Sequence, residues 1–316
     1  MVEKPTALWK RILGYVAFAI FALIITFFLT FPYDALKDRI RTEADAQGLV
    51  VRMGSLGPGF FALRAKNVEL SKKSTNEVPN EALKIDSLSV GPTFFPPGIG
   101  VSANAFGGSV AVKVTGLSGN HIKVDLDDLD MSKGNIKGYS GIDFSGTIGA
   151  HVDLTIPTSA AVGTGPAEPD LTQANGNLSL ETRGLTINGG TATLAIPQFG
   201  PEPTPLDLPK IVLGDISGKL RFEKGLGTIS DFTGRSPDLE VQITGTLKLA
   251  GRLLGGQLRG AEYSEPNMEI RFKPDPEFQK RLGLIGSALS MVGSDPKDPT
   301  WRKGNLTGYL GRPKFP

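Results

Sequence analysis

The sequence contains no cysteine, which excludes disulfide staples and thiolate metal sites. Histidine is nearly missing as well: only His121 and His151 occur, and two imidazoles fall short of the four N/S ligands of an ordinary zinc site. No large charge imbalance exists. The net charge of +2 gives no electrostatic footprint for nucleic acid, so no nucleic-acid partner is expected. Nucleophile elbows are missing too, since Gly116-Leu117-Ser118-Gly119 and Gly138-Tyr139-Ser140-Gly141 both lack the residue that should follow the serine. Two loose Gly-x-Gly-x-x-Ala matches, at Gly57 and Gly98, do not open a helix in a βαβ unit, which phosphate binding at such a loop requires. The run Asp125-Leu126-Asp127-Asp128-Leu129-Asp130 lacks the glycine of a calcium loop and reads as a strand with a solvated face. No enzyme, cofactor or metal chemistry is therefore expected.

Long apolar runs are also scarce, and the single exception organises the chain. Residues 12–31, ILGYVAFAIFALIITFFLTF, carry no charge, proline or amide. As a helix they extend about 30 Å, the thickness of a bilayer's hydrocarbon core. Trp9 and Ile12 lie at its start and Phe31 and Tyr33 at its end, where interfacial aromatics anchor a spanning helix. The run exceeds the core of a secretory signal and ends in bulky residues with no small-residue cleavage site, so an uncleaved anchor is expected. Basic residues flank both sides. The shortness of the leading tail, 1–11, then favours a cytoplasmic N-terminus with the remainder exported.

The remainder reads as mainly β. Forty glycines and 23 prolines punctuate short alternating segments. Residues 32–48 form an amphipathic stalk helix, with Leu36, Ile40 and Ala44 on one face and Gly48 as terminator. From residue 49 the period becomes two: Phe61, Leu63 and Ala65, then Val68 and Leu70, a phase change suggesting a bulge near Asn67. Leu83 and Ile85 followed by Leu88 and Val90 break in the same way. Val110, Val112 and Val114, then Ile122, Val124 and Leu126, then Ile148 to Ile156 alternate as antiparallel strands with one buried face. Pro92, Pro96 and Pro97 are expected in a loop. Stretches 157–171 and 197–209 lack periodicity, and the first divides the β domain, 49–316, into possible halves 49–157 and 172–316. A phrase of glycine, one residue and an apolar residue recurs at Gly146, Gly176, Gly218, Gly245 and Gly304, apparently opening strands. Late in the chain, Asp275 and Pro276 start a helix whose Phe278, Leu282, Ile285, Leu289 and Val292 make one stripe, suited to capping the sheet or facing a partner.

The anchor followed by Phe31-Pro32-Tyr33-Asp34, the stalk, and the phrase Gly57-Pro58-Gly59-Phe60-Phe61-Ala62-Leu63-Arg64-Ala65-Lys66-Asn67-Val68-Glu69-Leu70 resemble the type II secretion system protein N family in its long deltaproteobacterial form. Gly304-Asn305-Leu306-Thr307-Gly308 and Pro313 are similar too. Leu63 to Leu70 also resembles the start of AsmA-type proteins, bitopic inner-membrane proteins with a long curved antiparallel sheet. The first resemblance implies a single-pass inner-membrane protein with a periplasmic β domain. It would serve export of folded proteins, with the lipid bilayer, the inner-membrane platform and the secretin as neighbours. The second implies a lipid-binding or lipid-transfer protein of the envelope. Both bury every second residue of their strands, so a sealed core favours the first and an open apolar trough the second.

Overall fold

The computed structural model describes residues 31–59, 61–72, 82–116, 120–159, 168–194, 204–254, 257–283 and 292–314, with isolated positions between 9 and 30 and Gly286. The stalk helix spans Tyr33–Ala46 and leans on the first strand. Its end is set by Gly48, which adopts φ +75° and donates its N–H to the Asp45 carbonyl. Beyond it the described residues are mostly strand.

Seven strands follow as consecutive hairpins: β1 (Leu49–Pro58), β2 (Leu63–Lys72), β3 (Leu83–Phe94), β4 (Pro97–Ala105), β5 (Gly108–Thr115), β6 (His121–Asp130) and β7 (Ile142–Thr155). A small pair, β8 (Thr158–Ser159) and β9 (Glu168–Pro169), precedes the long β10 (Asn175–Leu194). Then come β11 (Thr204–Leu208), β12 (Ile211–Glu223), β13 (Leu226–Arg235) and β14 (Leu239–Lys248). A side hairpin of β15 (Arg252–Leu254) and β16 (Gln257–Arg259) leads to β17 (Glu265–Pro274), β18 (Arg302–Tyr309) and β19 (Arg312–Lys314). One 15-stranded sheet takes β1 to β7, β10, β12 to β14 and β17 to β19 in sequence order, with β11 alongside the end of β10. Every pairing is antiparallel, so the sheet is an uninterrupted meander. β7 pairs directly with β10, so the same sheet runs on both sides of the aperiodic stretch 157–171.

Most breaks in alternation are bulges. At Asn67, which adopts φ +50°, Asn67 and Gly54 opposite it are both passed over between the Met53–Val68 and Ser55–Lys66 pairs. Both strands therefore change phase together with no change of register, and the expected bulge is replaced by a paired step. Asp86 is the extra residue between Ile85 and Ser87. Asp128, at φ +48°, lets Leu126 and Leu129 share a face despite their odd spacing. Asp231 does the same between Ile229 and Phe232. Asn and Asp tolerate a left-handed backbone better than other non-glycine residues, which is why they occupy positions 67, 128 and 231.

Two further expectations are corrected. Pro92 is not in the loop: it lies within β3 opposite Ile99, and only Phe95 and Pro96 connect β3 to β4. The five repeated glycines lie inside β7, β10, β12, β14 and β18 rather than ahead of strands. At Gly146, Gly176, Gly218 and Gly245 neighbouring side chains or backbone occupy the space a Cβ would need.

Among the described residues no helix is long and apolar enough to cross a membrane. Much of the expected anchor, 12–31, lies outside the described residues.

Candidate ligand-binding face

Pairing register, followed strand by strand, brings distant residues into one line. Leu63 pairs with Val90, Val90 with Val101, Val101 with Val112, Val112 with Val124 and Val124 with Val152. The line continues through Leu178, Leu220, Ile229, Gly245 and Met268 to Leu306. Twelve strands thus contribute eleven apolar side chains and one glycine to a single row. At about 4.8 Å between strands the row is about 50 Å long. Rows on either side are similar: Val114, Ile122 and Leu154 on one, Val110, Leu126 and Ala150 on the other.

The opposite face is largely polar. Ser89, Ser102, Ala111, Asp125, His151, Ser179, Lys219 and Ser230 form its corresponding row. His121 Nε2 lies 2.9 Å from Asp153 and its Nδ1 3.3 Å from the Thr115 hydroxyl. His151 Nδ1 lies 3.1 Å from Asp125, which also pairs with Lys123 at 3.6 Å. Both histidines lie in strands, as expected, and their side chains are substantially exposed. Asp128 faces Arg183 at 3.4 Å, and Asp130 is held below the ordinary carboxylate range chiefly by the Ser132 hydroxyl, then by Lys133. These are cross-strand charge ladders on a wetted surface. Among the described residues no three His, Asp or Glu side chains converge as metal ligands.

The apolar face is covered at its ends and left half-covered along its middle. Near the stalk, Met53, Ala65 and Val68 are buried against Val51, Leu56, Ile85 and Leu88. The short helix Ile136–Ser140 packs against β7 and also touches β3, four strands away. Beside the middle of the row, at the ends of β6 and β7, Ile156, Leu171 and Ala174 are buried with Ile122, Leu154 and Leu249. In the central row, by contrast, Val101, Val112, Val124, Val152, Leu178 and Leu220 are all only half-buried. A second sheet packed about 10 Å above would bury them as a sandwich core. The face is an apolar trough with capped ends.

The C-terminal cap is built from named contacts. The Asp275 carboxylate accepts from the N–H groups of Glu277 and Phe278, starting the helix Pro276–Arg281 as the sequence predicts. Phe278, Leu282 and Val292 are buried; Ile285 and Leu289 lie outside the described residues. Arg281 pairs with buried Asp238, which also accepts from the Val212 N–H at 2.8 Å. Arg271 donates to buried Asp295 at 2.6 Å and stacks on Trp301 with its guanidinium 5.2 Å from the ring centroid. The Lys297 N–H, then Arg271, hold the Asp295 carboxyl below the usual carboxylate range.

Of the residues expected at the membrane, Trp9 is 75% and Ile12 47% exposed. Phe31 and Tyr33 are half-buried against each other, ring centroids 5.0 Å apart. No signal in the sequence pointed to the trough itself, because its row is assembled from cross-strand partners. No family model, curated protein or solved structure matches this chain.

Proposed function

We propose that this chain is a non-enzymatic protein of the cell envelope, anchored in the inner membrane, whose open sheet holds lipid acyl chains. The observation that carries this reading is the apolar row of twelve strands, left half-buried at Val101, Val112, Val124, Val152, Leu178 and Leu220. A row of about 50 Å is several times the ~15 Å depth of one leaflet's hydrocarbon, half of the ~30 Å bilayer core, so more than one acyl chain fits along it. Burial of apolar surface at about 25 cal/mol per Å² supplies the driving force without any specific polar contact. Uncovered apolar side chains near the N-terminus, Leu13 at 69%, Phe18 at 69% and Leu23 at 70% exposed, support an anchor at 12–31. The shortness of 1–11 favours a cytoplasmic tail and a periplasmic sheet.

A second reading makes the chain a subunit of the type II secretion system, next to the inner-membrane platform and the secretin. The Phe31-Pro32-Tyr33-Asp34 segment and the Gly57 to Leu70 phrase favour it. One comparison separates the two. In a deletion strain, a leaky outer-membrane lipid barrier with normal export of folded proteins supports lipid handling. Lost export behind an intact barrier supports the secretion role and rejects the first reading.

A further inference from the structure

The β1–β2 and β3–β4 turns meet at one corner of the sheet, about 30 Å along β1 from the stalk. Phe61 and Phe94 pack edge to face there, with ring centroids 6.0 Å apart. That contact leaves Phe61 45% and Phe94 60% exposed, while Ile99 is 59% and Phe95 98% exposed. Exposed apolar groups of this kind, gathered in one patch, mark an interaction surface.

The chemistry around the patch identifies its partner. Segments 58–64 and 90–101 hold no carboxylate, and their single charge is Arg64. Lys113 lines the adjoining cleft of about 290 Å³ together with Phe61 and Phe94; Ser89, Ser102 and Ala111 line it too, so the cleft opens on the polar face behind the trough. Aromatic rings at a tip with cations behind them suit the interfacial layer of a bilayer, where rings sit at headgroup level and cations meet anionic phosphates. An aromatic anchor for a protein partner sits instead at the centre of a well-packed, desolvated contact, ringed by residues that exclude water. Phe95 stands at a turn apex with almost its whole side chain in solvent. Register also joins the corner to the trough, since Val90 pairs with Val101 of the central row and Ile99 with Val114 of the next.

We infer that this corner is a membrane-docking tip, in which Phe61, Phe94 and Phe95 enter the interfacial layer of a lipid bilayer beside the open trough. The inference rests on the lipid reading of the apolar face and adds where lipid is met. Because the chain has no cysteine, Phe95→Cys in the full-length protein takes a single environment-sensitive fluorophore. The labelled protein is reconstituted into vesicles of phosphatidylethanolamine and phosphatidylglycerol, and brominated acyl chains are supplied in the host membrane or in added vesicles. The label at 95 is expected to be quenched by one of these, and a label at Thr228→Cys on the polar face is not. Phe61→Ser with Phe94→Ser should weaken the quenching about tenfold or more, as loss of two buried rings implies. A label at 95 that stays in water with every vesicle overturns the inference, as does equal quenching at 228. The trough is read separately, by lipid crosslinked to Val124→p-benzoylphenylalanine. Lipid captured at 124 with a water-exposed label at 95 defeats the docking tip and leaves the trough standing; a quenched label with no lipid at 124 does the reverse.

Discussion

At Gly218 the absent side chain is filled by a neighbour: a Cβ there would overlap the ring of Phe232 on the adjoining strand. Gly227 stands in the same relation to Phe222. Each ring covers backbone that glycine leaves bare, as aromatic residues do for glycines in sheets. Gly218→Ala should therefore cost about 1–3 kcal/mol, as overpacking usually does. Gly57→Ala, with no neighbour within 4 Å and an ordinary φ, should stay within about 0.5 kcal/mol. Urea midpoints of the two variants check this, and equal losses would reject the ring-on-glycine account. The repeated glycine phrase was visible in the sequence. Its cause was not, because Phe232 lies fourteen positions from Gly218 and meets it only through strand pairing. A second residue-scale contrast tests the faces. Val112→Asp puts a carboxylate into the apolar row and should cost about 1–3 kcal/mol, while Lys113→Asp on the polar face should cost under about 0.5 kcal/mol. Similar losses from both would show the faces to be misassigned.

Among the elements, the strands were the most legible, since period-two alternation marked β5, β6 and β7 to within a few residues. The phase changes at Asn67 and Asp86 also carried real information. Asp86 is a bulge against β4, while at Asn67 the two paired strands step together; both return the apolar residues to one face after an odd step. The late helix was legible at its start, where Asp275 and Pro276 supply the cap and first turn. The contacts that lock this region were not, because Arg271–Asp295 and Arg281–Asp238 join residues 24 and 43 positions apart. The Asp295 pair gives a pH prediction. Its folded carboxyl titrates below the unfolded value of about 3.9, so its contribution is fully present above that value and lost as pH falls through the folded one. Asp295→Asn should therefore lower stability at pH 7 and flatten the fall in stability below about pH 4. Denaturant unfolding at neutral and acidic pH measures this; an unchanged acid limb would show that the pair does not act as described.

For the molecule as a whole, the meander makes nearly all strand pairings local in sequence, an arrangement that favours rapid assembly for a large β protein. It also leaves one long apolar face whose fate the sequence does not reveal. Alternation looks identical in a sealed sandwich and in an open trough, because both place every second residue away from water. Only the half-burial of the central row, read with the register, separates them. At this scale the two histidines lie in carboxylate ladders on the polar face. His121→Gln with His151→Gln should therefore leave lipid capture unchanged, as measured by crosslinking from Val124; loss of capture would give the polar face a part it is not assigned here. The most direct measurement is a crosslinking scan in living cells with p-benzoylphenylalanine along two parallel rows. Val101, Val124, Val152 and Leu220 sample the apolar row, and Ser102, Lys123, Asp153 and Lys219 the polar face behind it. The account predicts lipid adducts from the first four positions and none from the second four. Equal labelling of both faces, or protein adducts alone from the apolar row, would contradict it.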